Sequence, residues 1–378
     1  MAGRRVGVIG AGATAVQLVP ELAKEVGDLF LFQRTPNWCF PMRNMPMPAD
    51  YEERVKDMYP AVRRLEHEWP GAGVVLRDMR LTPPSQRKAL DVSAEERERE
   101  YEDRWAHDSI AIGGCFTDLQ VSEAANDTLR HFLERKIREI VTDQDVATLL
   151  IPEHPPFTRR PPGQYGYYEA FNRDNVHLVD AKSDPIARVS GRIVVLTSGA
   201  EYPLDALICA TGFDAGSGCL TRIDVYGRDQ RMLRDYWQDG ALTHLGLMTT
   251  GFPNFFFLNS VQSPSALFSP PLLGDYQITY VLRVIDAMRQ AGGETVEPAP
   301  EAEAGWCSTV TEAVERTLLP RANSWWLGAN IPGKPRRPVT YIGGFVEYKR
   351  HAEAGIVGLR DFVVGARVAR MGGPPRPA

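Results

Sequence analysis

With 378 residues, 43% of them apolar and 24% charged, the chain has material for two domains with full cores. A net charge of −5 argues against a surface built for nucleic acid or anionic membrane, and no stretch approaches the ~20 apolar residues of a membrane span. Cys39, Cys115, Cys209, Cys219 and Cys307 show no C-x-x-C pairing and read as reduced thiols of a cytoplasmic protein. The seven histidines are scattered without ligand spacing, so no metal site is expected.

The first element carries the most information. An apolar run (Val6, Val8, Ile9) ends in Gly10-x-Gly12-x-x-Ala15, and Leu18, Val19, Leu22 and Ala23 continue with helical spacing. This predicts the strand–turn–helix entry of a dinucleotide-binding unit. Gly10 permits the tight turn, Gly12 lets backbone approach a pyrophosphate, and Ala15 allows close packing of helix on strand. The helix N-terminus, with Ala13, Thr14 and Gln17 in its first turns, would offer N–H groups and partial positive charge to the phosphates. A second strand is predicted at Leu29–Phe32, where the β-α-β unit requires one.

The end of that strand selects the dinucleotide. An NAD site places a carboxylate there for the ribose 2′-hydroxyl; here the strand runs into Gln33-Arg34-Thr35-Pro36. A guanidinium beside a hydroxyl suits a 2′-phosphate, which points to NADP(H). A solvated surface arginine is the plainer alternative.

From about residue 42 to 140 the pattern becomes helical and charge-dense. Ser93 with Glu96 fits a capping box, and Leu129, Phe132, Leu133, Ile137 and Ile140 mark an amphipathic helix over 127–140. A proline-rich loop, 152–163, then carries Arg159-Arg160. Short strands are expected at 176–179, 186–189, 192–196 and 204–210, the last ending Ala210-Thr211-Gly212. A buried strand is expected at Phe255–Leu258 and a helix over Leu272–Arg289 that Gly292-Gly293 terminates. A solvated linker follows at 297–303, then a helix over 304–319 and a frayed Gly-Pro-rich end. Small residues closing the 204–210 strand let backbone approach a second nucleotide.

At this point the residues resemble the Baeyer–Villiger flavin monooxygenases. The matching stretches are Val6–Gly12, Phe32–Trp38, Tyr167–Glu169 with Phe171–Val176, Ala210–Ala215, Gly251–Asn254 and Ser324–Arg336. The resemblance implies an α/β chain with two parts. One is a Rossmann-type NADP-binding domain, 1–205, with a helical insertion over about 42–140. The other, 206–378, is the C-terminal portion of the FAD domain of a two-dinucleotide fold. It also implies chemistry in which NADPH reduces FAD, oxygen adds to the flavin, and the peroxide converts a ketone to an ester or lactone. By the same resemblance Arg160 is the catalytic cation that holds the anionic peroxide, and Arg159 an NADP contact. Arg34 and Thr35 form the 2′-phosphate site, Thr211 and Gly212 lie near a dinucleotide, and Trp325 lies near the NADP ribose and nicotinamide. An anionic peroxide needs a cation that cannot lose its proton, which favours arginine at position 160.

The chain departs from the family pattern in one consistent way: the FAD glycine fingerprint, the family signature before the NADP strand, and the active-site aspartate are missing. The expectation is a truncated member, inactive alone, that exposes apolar surface and is poorly soluble or self-associates, with a separate FAD-domain chain as one partner. The alternative is an NADP-binding module or pseudoenzyme without turnover. A flavin-free dehydrogenase is disfavoured, because no Tyr-Lys or His-Asp hydride-transfer set is evident.

Overall fold

The computed structural model describes residues 1–42, 46–47, 49–68, 76–77, 80–81, 85–107 and 109–366. The Gly-Pro-rich end lies outside them. The chain forms two compact units: residues 1–52, 76–213 and 317–322, and residues 53–75, 214–316 and 323–378.

In the first unit, β1 (Arg5–Ile9), α1 (Ala13–Glu25) and β2 (Asp28–Gln33) follow the sequence pattern. Alternation along β2 sends Leu29 and Leu31 to one face, where they pack with Ala15, Val16, Val19 and Ala23 of α1. Phe30 and Phe32 go to the other face. Next come β3 (Phe40–Pro41), α2 (Tyr51–Glu68, mostly grouped with the second unit), β4 (Leu76–Arg77) and β5 (Arg80–Leu81). The helical stretch contains α3 (Ala94–His107), whose Glu96 N–H donates to the Ser93 hydroxyl at 3.1 Å, and α4 (Glu123–Ile140). Leu129, Phe132, Leu133 and Ile137 of α4 are buried, as their spacing requires. A short α5 (Gln144–Leu150) is capped by Asp143.

β6 (Gly163–Gln164), α6 (Tyr167–Ala170) and β7 (Val176–Asp180) follow, then an antiparallel sheet of β8 (Ile186–Ser190), β9 (Ile193–Leu196) and β10 (Glu201–Pro203). β11 (Ala206–Cys209) returns to pair with β1, giving a parallel sheet of order β11-β1-β2-β7. Phe30 and Phe32 meet Val194, Leu196 and Leu204 on the face opposite α1, so helices and the small antiparallel sheet cover the two sides. Because β11 is an edge of this sheet, the first unit runs through Phe213.

The second unit contains α7 (Gly218–Thr221), α8 (Leu233–Tyr236), α9 (Pro270–Gln290), β12 (Thr295–Pro298), α10 (Pro300–Glu315), α11 (Phe345–Ile356) and β13 (Phe362–Gly365). Its core packs Tyr280, Val284, Trp306, Val310, Phe345 and Tyr348. Gly292, at φ 73°, ends α9 while the Gly293 N–H reaches back to Met288 O at 3.0 Å.

Two local expectations fail here. Residues 255–258 form no strand: Asn254 and Asn259 bracket them at φ 59° and 49°, and Leu258 is exposed. Residues 297–303 are no solvated linker but the end of a buried strand and the start of a helix. Glu297 pairs with Arg228 at 2.7 Å and accepts the Gly251 N–H. Glu303 accepts from the Thr250 N–H and from the hydroxyls of Thr249 and Tyr236. No described helix is long and apolar enough to cross a membrane, and no cluster of three metal-ligating side chains occurs among the described residues.

Candidate nucleotide site

Open parallel sheets bind ligands beyond the carboxyl ends of their strands. At that end of this sheet, Gly10 follows β1 with φ 106°. Its N–H donates to Phe32 O at 3.0 Å, and a Cβ there would lie 2.4 Å from Ala210 O. Gly10 is therefore fixed by its neighbours: β1, β2 and β11 converge on it, and no larger residue fits.

Gly12 is different. It caps α1 without a side-chain hydrogen bond, and a Cβ at this position would meet nothing within 4 Å. Val16 N–H is bonded to Gly12 O at 3.0 Å, so the donors ahead of it, on Ala13, Thr14 and Ala15, belong to the open first turn. Ala13, Thr14 and Gln17 are exposed, Ala15 is buried against the sheet, and no acidic residue occupies the first turn. Space for an approaching group, free N–H donors and the positive helix end coincide there.

At the end of β2, Gln33 turns inward and donates to Leu149 O at 2.8 Å, while Arg34 is exposed and Thr35 half-buried. The next residues are laced to the proline-rich loop. Asn37 donates to Arg160 O at 3.1 Å and the Trp38 indole to His154 O at 2.8 Å. Phe40 N–H reaches Pro162 O, and β3 pairs with β6. The Phe40 and Phe157 rings stack at 5.2 Å, with Phe157 held at φ 67° against Gly113. This lacing sets Arg159 beside Arg34. Burial first, and then the Arg34 charge, hold the Arg159 guanidinium below its ordinary pKa. Two neighbouring cations, one partly desolvated, thus place positive charge at the end of β2. Arg160 is exposed on the same loop. His154, buried beneath it, is pushed down to about 4 by desolvation.

Thr211 and Gly212 also stand at this strand end: Thr211 Cα would be 3.6 Å from a Cβ on Gly10, and Gly212 has φ 93°. The first unit thus collects Gly10, Gly12, Ala13, Thr14, Ala15, Gln17, Arg34, Thr35, Arg159, Arg160, Thr211 and Gly212 along one edge. Trp325 belongs to the second unit, in a single helical turn over 325–327, its ring 5.3 Å from that of Trp326. The sequence reading missed Asn37. Its amide is the direct tie to the arginine loop, and only the tertiary pairing of residues 123 apart reveals it.

No protein-family profile matches the chain. It is 39% identical over 358 residues to the 2-oxo-Delta(3)-4,5,5-trimethylcyclopentenylacetyl-CoA monooxygenase of Pseudomonas putida, a match covering 93% of this chain and 64% of that protein. It is 34% identical over 372 residues to the acetone monooxygenase (methyl acetate-forming) of Gordonia sp. (strain TY-5), covering 96% and 67% respectively. Among solved structures, cyclohexanone monooxygenase from Rhodococcus sp. Phi1 bound to NADP+ superimposes with a TM-score of 0.90 at 33% identity, covering 97% of this chain and 68% of that one. The OTEMO complex with FAD and NADP gives 0.89 at 37% identity, covering 96% and 66%. The chain therefore spans about two thirds of the length of these proteins. With its strand-end glycine turn, its arginine-bearing loop and these likenesses taken together, the chain belongs to the Baeyer–Villiger monooxygenase family.

Proposed function

We propose that this chain binds NADP(H) on the edge described above and takes part in NADPH- and FAD-dependent oxygenation of a ketone to an ester or lactone. The observation that carries the reading is the open α1 N-terminus with Arg34 and Arg159 beside it. The residues fit the nucleotide: Gly12 leaves room for the pyrophosphate, the N–H groups of Ala13 to Ala15 face it, and Gln17 lies on the exposed side. Arg34, Thr35 and Arg159 would hold the 2′-phosphate. NADPH, when bound, supplies the hydride. Arg160, tethered through its carbonyl to Asn37, would present a permanent cation to negative charge that develops on the oxidant.

The flavin fits only in part. Thr211 and Gly212 allow close backbone approach. Yet among the described residues one glycine turn runs directly from a parallel strand into a long helix, and the nucleotide reading already uses it. We infer that FAD is held with the help of a separate FAD-domain chain; Phe213, 85% exposed beside Gly212, offers apolar surface for such a contact. The same single cradle favours a second reading, a nucleotide-binding module without turnover.

Titration calorimetry of the whole chain tests the first reading. NADPH should bind, and NADH at least about tenfold more weakly. Absence of heat with both, on folded protein, refutes it. Absorbance after incubation with FAD and dialysis then separates the two readings. Retained yellow colour with ketone-dependent NADPH oxidation, alone or with an added FAD-binding chain, supports the enzyme; NADPH binding without either supports the module.

A further inference from the structure

The second unit contains a cavity of about 300 Å³ between α7, α8 and the segment 331–339, outside the nucleotide edge. Its size is at the lower end of small-molecule sites. Trp237, Val261 and Val339 give it an apolar floor, and Ser217 and Thr221 add hydroxyls. The Trp237 indole N–H is already spent on Leu242 O and the Thr249 hydroxyl, so toward the cavity that side chain contributes apolar surface rather than a donor.

Three cations and one carboxylate share the lining. Two of the cations are satisfied internally. Lys334 pairs with Asp214 at 2.5 Å and also donates to Ala215 O, and Arg234 pairs with Asp224. Arg337 has no carboxylate partner among the described residues. Its position is nonetheless built. Gly240 adopts φ 106°, and a Cβ there would lie 2.4 Å from Arg337 Cδ, so a glycine in a left-handed conformation is what lets the arginine stem lie against this backbone. The Arg337 N–H also closes a turn onto Pro335 O at 3.1 Å. A seated guanidinium without a counter-charge, above an apolar floor, matches a ligand with a compact ring and one negative charge.

We propose that this cavity is a binding site for a small ring-bearing organic carboxylate, with Arg337 as the anion contact and Trp237 and Val339 under the ring. The site is independent of the nucleotide reading and can fail or succeed without it.

Calorimetry with benzoate on the whole chain is the test, with benzamide as the uncharged isostere. Benzoate should bind with Kd of about 1 mM or tighter, and benzamide at least about tenfold more weakly. Arg337→Gln, at an exposed position, should leave the unfolding midpoint unchanged and weaken benzoate by at least about tenfold. Arg336→Gln, one residue away and outside the lining, should leave benzoate binding unchanged. The proposal is overturned by no benzoate binding to folded protein, by equal binding of benzamide, by full binding in Arg337→Gln, or by equal losses in the two variants.

Discussion

In the second unit two carboxylates, Glu297 and Glu303, are almost fully buried, and each accepts several hydrogen bonds from its own chain. In the first unit the cations Arg34 and Arg160 stand exposed at strand ends and loops, and Arg159 is partly buried close enough to Arg34 to feel its charge. The contrast separates two uses of charge. A buried carboxylate surrounded by donors organises turns that have no regular backbone pairing of their own. Cations gathered at a sheet edge, two of them exposed, present positive charge to an arriving anion, which is how a binding site differs from a structural one.

Removing a structural charge should do the most damage. Glu303→Ala would leave the Thr250 N–H and the Tyr236 hydroxyl without their acceptor, and the Thr249 hydroxyl with Leu242 O alone. A loss of about 4 kcal/mol in urea unfolding is expected; a variant as stable as the parent would erase the distinction drawn above.

The two glycines of the turn give the next largest contrast. Gly12→Val should fold normally, because its Cβ points into open space, yet bind NADPH about a hundredfold more weakly. Gly10→Ala should instead lower the melting temperature, since its Cβ would collide with Ala210 O. Calorimetry and thermal melts on both variants check the pair, and reversed outcomes would mean the nucleotide edge is misplaced.

Acid should weaken both units by the same physics. His154 and His244 are held near 4 by burial, against about 6.5 in an unfolded chain. Between those values the unfolded state binds more protons, so stability falls as pH drops from 6.5 toward 4. For each histidine the loss from pH 7 to pH 5 is roughly 2 kcal/mol. His154→Gln should remove about half of the combined slope in urea titrations at stepped pH, and an unchanged slope would show that burial of His154 is not its source.

The smallest effect expected is the most selective. Arg34→Ala should weaken NADPH binding about tenfold and leave NADH unaffected, with no change in melting temperature. Equal losses for the two nucleotides would remove Arg34 from the 2′-phosphate site.

Much of the first unit could be read in advance because its signals are local. Strand alternation, the 3-and-4 spacing of α4 and the glycine turn each involve residues within a few positions of one another, and backbone geometry limits what such patterns can form. The second unit resisted for the opposite reason. Glu297 and Glu303 look like a charged linker until Arg228, 69 residues from Glu297, and Tyr236, 67 from Glu303, are brought to them. Phe255–Leu258 has strand composition, but the left-handed Asn254 and Asn259 prevent continuous pairing.

By itself the sequence determined that a strand, a glycine turn and a helix would open the chain with an arginine after the second strand, because φ/ψ limits and side-chain period act within a few residues. Tertiary structure alone decided that Asn37 would hold Arg160, that Arg159 would feel the charge of Arg34, and that β11 would close the sheet beside Gly10. Those contacts join residues more than a hundred positions apart, and their energies depend on burial and charge proximity that exist only once the chain has folded.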